Sequence, residues 1–203
     1  VFTLTHAMGF KGVLGGEYNF NRTEASIWKR FWLPASWGKI DCSVKAGAEW
    51  NTVPFPLLIL PEANLSYITQ RETFCLINNM EFLNDRFASM SISYDMNGKL
   101  FNRIPLLKNL KWREMFRVRA LWGTLTDKNN PFKSSNPDLF RFPTRDGKFT
   151  SFVMDPKVPY IEGSIGIYNI FKLLHVEYVH RFTYRDNPGI NKNGIRFMVL
   201  MVF

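Results

Sequence analysis

"KIDCSVKAGAEW", Lys39–Trp50, decides the fold. Ile40, Cys42, Val44, Ala46, Ala48 and Trp50 alternate without exception with Lys39, Asp41, Ser43, Lys45, Gly47 and Glu49. A period of two is satisfied by a strand and not by a helix. The second face of this strand carries too much charge for an ordinary core, so one side of the sheet is apolar and the other is ionic.

The pattern recurs along the chain. Ala88, Met90, Ile92, Tyr94 and Met96 oppose Ser89, Ser91, Ser93 and Asp95. Trp112, Phe116, Val118, Ala120 and Trp122 oppose Arg113, Arg117 and Arg119. Ile161, Gly163, Ile165 and Ile167 oppose Glu162 and Ser164, and Leu174, Val176, Tyr178, Phe182 and Tyr184 oppose His175, Glu177, Arg181, Thr183 and Arg185. Residues 19–33 fit less well, because Lys29 falls among Ala25, Ile27, Phe31 and Leu33. A lysine at a membrane edge reaches the headgroups by extending its stem.

Connections sort into two kinds. "FWLPASWGKI", "IPLLKNLKW" and "IYNIFKLLHV" are compact, whereas residues 52–71, 125–158 and 185–193 are long and mostly polar. Short turns at one end and long loops at the other describe an outer-membrane barrel. The expectation is an all-β, antiparallel transmembrane barrel domain over residues 1–203. Its strands fall near 1–8, 19–33, 38–51, 72–100 with an interruption at Asn84 and Asp85, 111–125, 158–169, 172–185 and 194–203. With the short turns in the periplasm, the protein sits in the outer membrane with its C-terminus periplasmic.

Composition agrees with this and excludes other classes. The 203 residues suffice for one sizeable domain; 46% are hydrophobic and 16% aromatic, which excludes disorder. Mean hydropathy is slightly negative and no apolar run of about 18 residues occurs, which excludes spanning helices but not spanning strands. The net charge of +9 alternates with apolar residues rather than forming a basic face with exposed aromatics, so nucleic acid is not an expected partner. Cys42 and Cys75 are too far apart along the chain for a CxxC motif and imply neither a zinc site nor a disulfide framework. No positively charged segment followed by an apolar one opens the sequence, so for an exported protein the expectation is that the signal has been removed or that the sequence starts partway through a larger polypeptide. The competing architecture is a large soluble β-sandwich, which also alternates but gives no reason for the asymmetric connections.

Three groups of residues follow. Trp112 and Trp122 share a face ten residues apart, about 25 Å along the membrane normal for a tilted strand, and with Trp50 and Tyr184 form the expected aromatic girdles. Arg113, Arg117, Arg119, Glu162, Glu177 and Arg181 form a lumenal charge network, read as internal ion pairs, with an anion-favouring pore as the alternative. The strand "GIRFMVLMVF" places Ile195, Phe197, Val199, Met201 and Phe203 toward lipid as an apolar, aromatic-ended assembly signal. Its other face is also apolar beyond Arg196, so the lumen beside it is expected to be packed.

No catalytic residue, cofactor or metal site is expected. Ser164, His175 and Glu177 include the residue types of a hydrolytic triad, but no nucleophile elbow accompanies them, and no metal or phosphate-loop spacing occurs.

"LLILPEANLSY", "NNMEFLNDRFASMSISYDMNG", "NRIPLLKNLKWRE", "LWGTLTDKNNP" and "PYIEGSIGIYNIFKLLHVEYVHRFTYRDNPGINKNGIRFMVLMVF" resemble the C-terminal barrel of a surface-antigen-like outer-membrane family of unknown function, whose members carry a carboxypeptidase-regulatory-like domain. That family is similar to the sixteen-stranded barrels of the assembly and translocation proteins BamA and TamA. The resemblance implies that the eight strands are the C-terminal half of such a barrel and that it handles polypeptide or lipid through a seam beside residues 194–203. Implied partners are outer-membrane lipid, the barrel-assembly machinery and other envelope subunits. The alternative function is a passive pore or an accessory subunit of an envelope complex. In BamA-like barrels the loop matching residues 52–71 enters the lumen through a V-R-G-F/Y motif. Here "TVPFPLLILPEANLSY" lacks the Arg-Gly, yet it is apolar enough to fold inward.

Overall fold

A computed structural model describes all residues except 71, 137–138, 143, 146 and 200–203. Its strands are β1 (Phe2–Gly9), β2 (Phe20–Trp32), β3 (Lys39–Glu49), β4 (Arg86–Asp95), β5 (Arg113–Thr124), β6 (Thr144–Arg145), β7 (Lys148–Phe149), β8 (Tyr160–Ile170), β9 (Leu174–Arg181) and β10 (Asn193–Val199). One short helix, α1 (Pro105–Leu110), follows a 3₁₀ turn at Phe101–Arg103. Among the described residues no helix is long and apolar enough to cross a membrane.

The eight long strands form one antiparallel sheet in the order β1-β2-β3-β4-β5-β8-β9-β10, and β6 and β7 form a separate hairpin within the long connection before β8. The sheet is a meander: each of its strands pairs with its predecessor in the sheet, so consecutive connections alternate between its two ends. Residues 10–19, 50–85, 125–159 and 182–192 join strands at one end; residues 33–38, 96–112 and 171–173 join them at the other. The outer strands β1 and β10 are not paired with each other. Among the described residues the sheet is therefore open, and a closed barrel, whether of these eight strands or of a wider one to which they belong, is not shown.

The turns explain themselves locally. Gly38 has φ +90° in the turn between β2 and β3, where a Cβ would lie 1.8 Å from the carbonyl oxygen of Asp95, so no side chain fits. Its carbonyl accepts the Leu33 N–H at 2.9 Å.

Three expected boundaries change, one being that β9 ends at Arg181 rather than near residue 185. β4 ends at Asp95 rather than near residue 100, because Asn97 and Gly98 take positive φ and turn the chain out of the strand ahead of the 3₁₀ turn. Residues 72–85, read as the start of the same strand, form no continuous strand. Phe74, Cys75, Leu76 and Ile77 are all buried in succession, which period-two alternation against a single partner layer does not allow. They lie across one face of the sheet, where Phe74, Ile77 and Phe82 pack with Leu121, Met154 and Tyr160. A second cluster joins Val53, Leu58, Leu83 and Phe142, so the "PFPLLILP" segment does fold inward.

Candidate functional site

The two faces of the sheet differ in kind. On the bare face a row of apolar and aromatic residues runs in register across seven strands: Phe31, Ile40, Tyr94, Phe116, Ile165, Tyr178 and Ile195. Ile165 is 57% exposed, and Ile27, Phe31, Val44, Val118, Trp122, Tyr178 and Phe182 are exposed with it. Water-soluble chains rarely leave so extended an apolar face uncovered. Lys29 stands on this face with its ammonium 5.0 Å from the centre of the Phe31 ring.

The covered face holds the charges. A parallel row passes through Trp28, Ser43, Ser91, Arg119, Glu162 and Arg181. Arg119 and Glu162, 2% and 0% exposed, are cross-strand partners 2.9 Å apart. The Glu162 carboxylate also accepts the backbone N–H groups of Cys75 and Leu76 and the hydroxyl of Tyr160. One side chain thus neutralises a buried arginine and fastens a loop to the sheet. Glu177 takes Arg117 at 3.1 Å and the Ser164 hydroxyl.

Arg181 is gripped bidentately by Glu81 at 2.6 and 3.0 Å, and Glu81 also accepts from Asn78 N–H and the Asn187 amide. Sequence reasoning missed Glu81. It lies a hundred residues from its partner, in a segment read as a strand, and its only signal is an acid inside an apolar stretch. Of the expected network, Arg117, Arg119, Glu162, Glu177 and Arg181 come together; Arg113 does not, being exposed beside the Tyr168 ring.

Small residues on β3 and β4 leave room between these pairs and the loops. Ser43, Ser91 and Ser93 line a cavity of about 360 Å³, which Trp28, Arg117, His175 and Met198 also bound. Met198 borders this cavity on the covered side, so the lumen expected to be packed beside it is open there; Leu200 and Val202, which continue that face, lie outside the described residues. Ser164 does not meet His175: its hydroxyl goes to Glu177, and His175 Nε2 lies 3.5 Å from the same carboxylate. The serine hydroxyl thus donates to the Glu177 carboxylate and not to the imidazole, so Ser164 and His175 do not form the serine–histidine pair of a hydrolytic triad.

Ile195, Phe197 and Val199 are exposed on the bare face, as the alternation requires; Met201 and Phe203 lie outside the described residues. The outer edge of β10 is partly occupied. Phe197 N–H donates to Tyr67 O at 2.7 Å and Thr69 N–H to Phe197 O at 2.6 Å, a parallel bridge made by the chain's own loop. Arg196 fixes the same loop by donating to the Cys75 carbonyl. Among the described residues the opposite outer strand, β1, pairs with β2 alone.

Of the expected girdle, Trp122 is exposed on the bare face and Trp112 is half-buried just before β5. Trp50 is exposed at the long-loop end and donates its indole N–H to Thr23 Oγ1. Tyr184 turns inward onto Phe82, ring centres 5.1 Å apart, and donates to Val158 O at 2.7 Å, so it clamps the last two long connections together. Burial raises its hydroxyl above the ordinary value. Burial likewise pushes the Cys75 thiol up; Cys42, half-buried, lies on the other face of the sheet, and both are free thiols.

An antiparallel meander with its ionic side covered by loops and its apolar side bare defines an inside-out β-sheet protein. Residues 1–133 match a family of unknown function, the DUF5686 C-terminal domain, and the chain belongs to that family. No curated protein matches it, and no solved structure does. The family match carries no link to BamA, TamA or a carboxypeptidase-regulatory-like domain.

Proposed function

We propose that this chain is part of the wall of an outer-membrane β-barrel, the C-terminal half of a wider one, that handles polypeptide or lipid at the membrane beside β10. The observation that carries the reading is the bare apolar face running through seven strands opposite buried ion pairs. In a bilayer that face is solvated by lipid tails, and the charges stay in the protein interior.

The open edge supports the larger barrel. An unpaired strand edge in hydrocarbon leaves backbone N–H and C=O groups unsatisfied, each costing several kcal/mol. The free edge of β1 must therefore meet further strands, which fits the resemblance to sixteen-stranded assembly and translocation barrels. Photocrosslinking from Phe197 and from Leu4 in native envelopes tests this. Products with translocating polypeptide or lipid at Phe197, and with another barrel strand at Leu4, support the reading. Capture at Phe197 of a fixed barrel strand alone contradicts the handling role.

A passive pore or accessory subunit is the second reading, favoured by the closed set of ion pairs and by loops packed across the covered face. Steady, anion-preferring conductance in planar bilayers supports the pore.

A further inference from the structure

At the short-connection end, the turn between β2 and β3 and the 3₁₀ turn after β4 enclose an open recess of about 400 Å³. Its lining is Ser36, Asn97, Lys99, Asn102 and Arg103, two cations and three neutral polar side chains without a carboxylate. Among the described residues neither Lys99 nor Arg103 takes part in an ion pair. Lys99 Nζ donates to the Ala35 carbonyl at 3.2 Å and stands 4.8 Å from the centre of the Trp37 ring.

The nearby acids are engaged elsewhere. Asp95 takes the Tyr168 hydroxyl, the Asn97 N–H and Lys39. Glu114 accepts the Leu100 N–H. Among the described residues neither cation of the recess has a carboxylate within ion-pair distance, although one oxygen of the buried Glu114 is without a partner.

Large apolar side chains stand exposed around it: Trp37, Leu100, Ile104, Leu106 and Leu110, with Leu106 82% exposed. Leu106 and Leu110 are one turn apart on α1, and the exposed Lys108 and Lys111 extend the positive surface. Cations beside unpartnered apolar groups, at the end of strands whose bare face suits lipid tails, match one chemistry: a phosphodiester with acyl chains attached.

We infer that the recess binds the headgroup of an anionic phospholipid. The phosphate meets Lys99 and Arg103, Asn97 and Asn102 hydrogen-bond the headgroup, and the chains run along Trp37, Leu100 and Ile104. The assignment rests on the membrane reading above. Lys and Arg at an anionic surface each contribute enough that two of them discriminate about tenfold or more against a zwitterionic lipid.

The test is lipid retention by the folded protein in neutral detergent, read by native mass spectrometry with phosphatidylglycerol, phosphatidylcholine or inorganic phosphate. Phosphatidylglycerol should be retained about tenfold better than phosphatidylcholine, and high salt should shrink the preference. K99Q/R103Q, checked for fold by circular dichroism, should abolish it, while K157Q, a lysine in the long connection before β8, should not. Equal retention of the two lipids, or a preference that survives K99Q/R103Q, overturns the assignment. Displacement of the lipid by equimolar inorganic phosphate makes the recess a free-anion site and also overturns it. Flotation of every variant with pure phosphatidylcholine vesicles reads the membrane assignment separately: failure there sinks that reading, whereas flotation without selectivity sinks only the lipid site.

Discussion

The carboxylate of Glu162, on β8, accepts the backbone N–H of Cys75, 87 residues earlier in the chain, at 2.8 Å while pairing with Arg119 at 2.9 Å. The sheet and the loop that covers it are thus joined at a single side chain. Removing it strands Arg119 in a buried site where its Nε and Nη2 already lack partners.

E162A should therefore destabilise the fold by about 3–5 kcal/mol, the usual cost of unpairing one member of a buried ion pair. Urea unfolding in micelles measures the loss. Hydrogen exchange should accelerate first at Cys75 and Leu76. Wild-type stability and protection in E162A would show that the loop is held by apolar packing alone.

E81Q should loosen two long connections at once, because Glu81 joins Arg181 of β9 to Asn187 beyond it. The expected result is rapid proteolysis within residues 182–192 and a stability loss of similar size, about 3–5 kcal/mol. Cleavage confined to residues 72–85 would mean that Arg181 finds another acceptor.

I165R separates a membrane wall from a soluble sheet by sign. On a lipid-facing surface an arginine near the midplane costs about 2–4 kcal/mol, so folding yield into vesicles should fall. In a water-soluble sandwich the same change on a residue that is 57% exposed would be neutral or would improve solubility.

The two cysteines should label differently. Cys75 is buried and its thiol is held protonated by burial, so a water-soluble maleimide should reach it only after unfolding. Cys42, on the bare face, should react with a membrane-permeant reagent in the folded state. Fast labelling of Cys75 by the water-soluble reagent would show that the loop leaves the sheet.

What the sequence disclosed follows from the range of the interactions. The alternation in Lys39–Trp50 is local, so strand, faces and the placement of Arg117, Arg119, Glu162 and Glu177 were legible from it. The asymmetry of the connections survives only in part. Residues 33–38 and 171–173 are compact, but the connection read as compact around "IPLLKNLKW" runs over residues 96–112 with a helix of its own, longer than residues 10–19 and 182–192 at the other end. Residues 72–85 were not legible, because "FCLI" owes its burial to tertiary packing on both sides rather than to a period. Glu81 and the Tyr67–Thr69 bridge to Phe197 were hidden for the same reason: their partners lie a hundred residues away or more. Tyr184 kept the alternation of its strand, but β9 ends at Arg181 and the tyrosine, at φ 51°, turns inward.

The most direct test of the central claim is collisional accessibility of nitroxides on V118C and I165C, from the bare face, and S91C and S93C, from the covered face, in a Cys42- and Cys75-free protein reconstituted in vesicles. A lipid-facing wall predicts that labels at positions 118 and 165 collide with oxygen in preference to a water-soluble nickel chelate, with depth-dependent values absent at 91 and 93. Nickel-accessible labels at positions 118 and 165 would place the bare face in water and contradict the account.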